Sequence, residues 1–146
     1  MSKIRDTQRS KLYRAERVVN GEKFADMEEM REYVNKITRS DWWKKHHENP
    51  AWGISVTDGR RRRNACAVGS WEIRMPRWSR CERIVLHELA HTVVTSRFGD
   101  DTAAWHGCEF AKTLLLMVRR FMGKEAHDTM KASFKLHKVH YTTSRI

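Results

Sequence analysis

The strongest constraint on how this chain can fold lies between Ser79 and Phe98. Ile84, Val85, Leu89, Val93 and Val94 recur at helical spacing over a wide arc, so the segment reads as a helix buried in the core. Ser79, with Glu82 three residues on, has the form of a capping box at its start, and Phe98-Gly99 ends it. Two histidines interrupt the apolar run, His87 and His91, in the segment His87-Glu88-Leu89-Ala90-His91. A spacing of four stacks both imidazoles on one face of the helix, a turn apart. Polar side chains there demand partners, because burial without them is costly.

A divalent metal ion would satisfy both rings, and the spacing suits Zn²⁺. Glu88 lies beside the pair, where its carboxylate can take a proton from a water that the metal has acidified to a pKa of about 7. A catalytic zinc takes three protein ligands and keeps a fourth position open. His106, past a loop and at the mouth of the next helix, is the leading third ligand, with Gly107 allowing a tight approach. Glu109, one turn further on, is its serious rival. Asp100 and Asp101 are further carboxylate candidates, and Cys108 reads as packing. The downstream glycine and histidine of the metzincin pattern are absent, since Val94 and Arg97 stand in those places.

Around this helix the chain reads as one α+β domain spanning residues 1–146. A helical part covers about 5–45, with Leu12, Ala15 and Val19 at helical spacing and Asn20-Gly21 as a stop. Its second helix starts at an Asp26 cap and carries Met27, Met30, Val34 and Ile37 as an apolar stripe. A sheet of about three strands, mostly antiparallel, is expected over 52–76. Its strands are Trp52–Val56, a return from Asn64 to Val68 after a turn at Thr57-Asp58-Gly59, and Trp71–Met75, which Pro76 ends. The active-site helix is expected over 79–98 and two more helices over 107–139.

Composition narrows the partners. The 29 Lys and Arg against 18 Asp and Glu give a net charge of +11, which favours anionic partners, nucleic acid first among them. Arg60, Arg61, Arg62 and Arg63 form the one dense cationic run, and Asp41 to His47 mixes tryptophans with positive charge. The three cysteines, Cys66, Cys81 and Cys108, show neither a disulfide framework nor a C-x-x-C pair. No signal-peptide core and no membrane-length apolar run is present, so a cytoplasmic protein without a membrane partner is expected.

The segment HELAH followed by His106-Gly107-Cys108-Glu109-Phe110 resembles the SprT-like zincin metallopeptidases, whose motif is H-E-x-x-H, a spacer, then H-G-x-x-F. The whole chain is also similar to a family of small HExxH metallohydrolases from actinobacteria and their phages. RDTQRSKLYRAE near the start, RRRNACAVG, the strand ending in Met75-Pro76-Arg77-Trp78, and AKTLLLMVRRFMG carry that likeness. The resemblance implies a zincin-like fold, zinc on His87, His91 and His106, and Glu88 as catalytic glutamate. It also implies hydrolysis of peptide or protein substrates, some of them DNA-associated, inside a bacterial or phage-infected cell. In such folds the strand before the active-site helix pairs with extended substrate, a place that Trp71–Met75 occupies. A stabiliser for the transition state is sought among His46, His47, His140, Tyr141, Arg80 and Arg83. The competing expectation is a basic nucleic-acid-associated protein with a structural or idle zinc site.

Overall fold

The computed structural model describes residues 6–60, 62–99 and 105–144. They form an α+β domain of six α-helices and a three-stranded sheet. In chain order these are α1 (Arg9–Glu16), α2 (Met27–Thr38), α3 (Asp41–His46), β1 (Ser55–Thr57), β2 (Cys66–Val68), β3 (Glu72–Arg74), α4 (Glu82–Phe98), α5 (Cys108–Met122) and α6 (Lys124–Leu136).

The helices follow their apolar periodicity. In α2, Met30, Val34 and Ile37 are buried, and the Asp26 side chain accepts a 2.8 Å hydrogen bond from the Glu29 amide, capping the first turn. In α5, Phe110, Leu114, Met117 and Val118 face inward, and Gly123 ends the helix at φ +101°, a conformation a side chain would strain. α4 is buried without a break from Val85 to Val94. It packs on α5, α5 on α6, and α6 on α1, while β2 and β3 cover another side of α4. The His87–His91 segment therefore runs through the centre of the core, between the C-terminal helices and the sheet.

Two expectations are corrected here. The sheet is mixed rather than mostly antiparallel: its order is β1-β3-β2, with β1 parallel and β2 antiparallel to β3. Gly69-Ser70 makes the tight turn that joins β2 to β3. The longer link after β1 leaves β2 free to pair with β3, which takes the centre with Ile73 fully buried. Trp71–Met75 thus has no free edge along Glu72–Arg74, and the edges are β1 and β2.

The capping box at Ser79 also fails to form. α4 begins at Glu82, and the Ser79 hydroxyl bonds instead to the Pro76 carbonyl at 2.6 Å. The distant segment 20–22 takes over the cap. Its Glu22 and Asn20 carbonyls accept from the amides of Glu82 and Arg83 at 3.0 and 3.1 Å. The Glu82 carboxylate turns outward to the Glu22 amide and the Tyr33 hydroxyl, both at 2.9 Å. Gly21, at φ +71°, permits this approach, since a Cβ there would stand 2.8 Å from the Glu82 Cβ.

Trp43 is fully buried, and Trp42 packs against the core with its ring stacked 4.1 Å from His46, so the aromatics of Asp41–His47 serve packing. Among the described residues no helix is long and apolar enough to cross a membrane.

Candidate metal centre

α4 projects His87 and His91 from one face, and the turn leading into α5 brings His106 against them. The ring centroids lie 5.0 Å (His87–His91), 5.4 Å (His87–His106) and 4.8 Å (His91–His106) apart. One nitrogen from each ring falls within 4.8 Å of the others, and all three residues are buried. Among the described residues these three histidines form the one such cluster. Glu109 and Cys108, on the first turn of α5, are not part of it. Asp100 and Asp101 lie outside the described residues.

Two of the three rings already have one nitrogen committed. The Nδ1 of His87 meets the Glu16 carboxylate at 2.8 and 3.0 Å, and the Nδ1 of His106 meets Asp6 at 2.7 Å. A carboxylate only accepts, so each Nδ1 carries the proton and each Nε2 is left facing the cluster. Glu16 is itself held by the Arg83 guanidinium at 2.8 Å, and Gln8 donates to the His106 carbonyl at 2.9 Å. Asp6, Gln8 and Glu16 all belong to α1 or the residues just before it, so the N-terminal segment is the scaffold that orients two of the three rings.

These residues fit a metal ion. The Nε2 of His87 is buried with no hydrogen-bond partner among the described residues, a costly state that a cation at that point would relieve. Burial, then the neighbouring His87 and His106, hold the His91 pKa well below the ordinary imidazole value, so this ring is a neutral donor. Burial lowers His106 as well, against the pull of Asp6. For His87 burial is again the largest influence, but the charge and hydrogen bond of Glu16 outweigh it and raise the pKa. Such a carboxylate-backed imidazole is a more basic ligand.

Glu88 completes the site. Burial is the main cause that pushes its pKa up to about 7, with His87 opposing and Glu16 adding to the shift. It lines a cavity of about 540 Å³ whose floor is the three histidines. Cys66 and Ala67 of β2 form one wall, and Trp78 and Trp105 stand at the side. Trp105 meets His91 edge-on at 4.3 Å, and the Trp78 indole donates to the Arg63 carbonyl at 2.7 Å. The edge strand bordering the cavity is therefore β2.

Of the residues considered for transition-state stabilisation, Arg83 alone lines the cavity. His46 and His47 sit away from the cavity, with ring nitrogens on the carbonyls of Trp42 and Ser70. Arg80 bonds the Met75 carbonyl, and Tyr141 packs on the core near Phe134. His140 is exposed and does not line the cavity. Arg83 reaches the cavity, but its guanidinium is bound to Glu16 and Asn20.

Tyr13, like Asp6 and Glu16, is a residue that sequence reasoning missed. It lines the cavity, and its hydroxyl lies 3.3 Å from the Nε2 of His106. Burial, with Glu88 nearby, raises its pKa above the usual phenol value. The signal was present in α1, where Arg9, Tyr13 and Glu16 share one face beside the buried Leu12 and Ala15. Of the arginine run, Arg60, Arg62 and Arg63 are exposed and Arg61 lies outside the described residues. No family model, curated protein or solved structure matches the chain.

Proposed function

We propose that this protein is a zinc-dependent hydrolase acting on peptide bonds, with zinc held by His87, His91 and His106. The observation that carries the reading is the orphaned Nε2 of His87, buried beside two further histidines and a carboxylate in an accessible cavity. A zinc ion bound there would polarise a carbonyl and bring the pKa of a water in its open position to about 7.

Glu88 then acts as general base, taking the proton of the attacking water on its carboxylate and passing it to the departing amine. Burial keeps that carboxylate from competing solvent, and the fixed helical geometry keeps it next to His87. Asp6 and Glu16 hold the His106 and His87 rings, so their nitrogens stay aimed while the proton moves. An extended peptide has a place to bind along β2, which is paired on one side only and borders the cavity. The likeness of HELAH and His106-Gly107-Cys108-Glu109-Phe110 to the SprT-like zincins supports a peptidase of that type. Cys66, Cys81 and Cys108 are free thiols, which suits a reducing cytoplasm.

A second reading has its own observation. Trp78 is 62 % exposed beside the cavity and tied to Arg63, and the chain carries +11, a combination suited to stacking and phosphate contact with a single strand. The site would then be a structural or idle metal centre on a nucleic-acid-binding protein. Glu88→Gln separates the two. On the hydrolase reading the variant keeps its zinc and its fold and loses cleavage of unstructured protein substrates, assayed with and without DNA. Cleavage equal to wild type in that variant contradicts the reading. Salt-dependent DNA binding by a zinc-loaded protein that cleaves nothing favours the second.

A further inference from the structure

The cluster is faced by one hydroxyl that neither the H-E-x-x-H segment nor the general base accounts for. The Tyr13 phenol donates its hydrogen bond to the Nε2 of His106 across 3.3 Å. That nitrogen's lone pair is the one a metal takes, because the Nδ1 of the same ring is bound to Asp6. A metal held by that nitrogen would therefore release the Tyr13 hydroxyl from this partner and leave it with a proton to donate in the cavity.

We propose that Tyr13 is a catalytic residue, donating a hydrogen bond to the substrate oxygen that gains negative charge as water attacks. The inference rests on the metal-hydrolase reading above. The proton stays on the phenol throughout, so no further reactant is required.

Preorganisation supports the role. The Tyr13 ring stacks on His87, with centroids 5.3 Å apart and planes at 17°, and meets His106 at 5.1 Å. Its helix is fixed on the other side, where Leu12 and Ala15 are fully buried and the Ser133 hydroxyl bonds the Ala15 carbonyl at 2.7 Å. One turn on, Glu16 ties the same helix to His87 and Arg83. A donor held this way reaches the reacting oxygen without reorganising, which is what makes such groups effective. Among the arginines lining the cavity, Arg83 is bound to Glu16 and Asn20, and Arg9 lies over the Tyr13 ring, 5.6 Å from its centroid.

The test needs no known substrate. The protein is loaded with Co²⁺, whose visible spectrum reports its ligands, and titrated with acetohydroxamate, which presents oxygens to a metal without being cleaved. Wild type, Tyr13→Phe and Tyr13→His are compared for metal affinity and for hydroxamate affinity. The phenylalanine keeps the ring against His87 and removes only the hydroxyl. It should bind cobalt about as tightly as wild type and bind hydroxamate about ten-fold or more weakly. The histidine, which restores a donor, should recover part of the difference. With a substrate in hand, kcat should fall about 100-fold in Tyr13→Phe at unchanged metal content.

Equal hydroxamate affinity in Tyr13→Phe and wild type overturns the proposal. Loss of cobalt from a folded Tyr13→Phe also overturns it, by making the tyrosine a metal ligand. A wild type that takes up neither cobalt nor zinc sinks the hydrolase reading itself, and this inference with it. The first two outcomes leave that reading standing.

Discussion

A histidine bound to a metal is only as well aimed as the group behind it. Here His87 is backed by Glu16, a carboxylate buried to 1 % exposure that also accepts from Arg83. Replacing Glu16 with Gln keeps the shape and removes the charge that makes the ring a strong ligand. Zinc affinity, measured by competition with a chromogenic chelator, should fall about ten- to a hundred-fold while the fold survives. Unchanged affinity would show that Glu16 serves only the packing of α1. The histidine pair of α4 was legible in the sequence because its spacing is local: four positions along one helix define a face. The residues that aim them were not. Glu16 lies 71 positions from His87 and Asp6 lies 100 from His106, and no periodicity relates such pairs. His106 itself could not be chosen over Glu109 from spacing alone. The packing of α5 against α4 is what brings the histidine, and not the glutamate, into the cluster.

Helices announced themselves where one face had to be buried and a local group ended the turn. α2 does both, with its stripe of Met30, Val34 and Ile37 and its Asp26 cap. Asp26→Ala should cost about 1 kcal/mol of stability by removing the one side-chain partner of the Glu29 amide, read as a lower midpoint in urea at unchanged slope. No shift in midpoint would mean that water replaces the cap without loss. Elements whose ends depend on distant chain were read less well. α4 starts three residues later than its capping-box pattern predicts, because carbonyls from Asn20 and Glu22 satisfy its first amides. Strands of three residues carry little pattern of their own, and their order is a tertiary choice. That is why the alternation around Ile73 identified a strand but not its place at the centre between β1 and β2.

At the scale of the whole molecule, the arrangement explains why a small domain puts charged groups in its core. Three segments far apart in the chain close on the same point: the N-terminal helix supplies Tyr13 and Glu16, α4 supplies His87, Glu88 and His91, and the entry to α5 supplies His106. A cation at the centre would hold these segments together, and without it at least one buried nitrogen is left unpaired. The α+β class and the order of helices, sheet and helices were legible from composition and period, since they depend on which segments are apolar. The use of the +11 charge was not, because net charge sets attraction without naming a partner. The most direct test of the account is the metal content of the purified protein by elemental mass spectrometry, wild type beside His106→Ala and Glu109→Ala. About one zinc per chain, retained in Glu109→Ala and lost in a folded His106→Ala, is the predicted result. A folded wild type that neither contains zinc nor takes it up would contradict the account, and so would a His106→Ala variant that keeps its full complement.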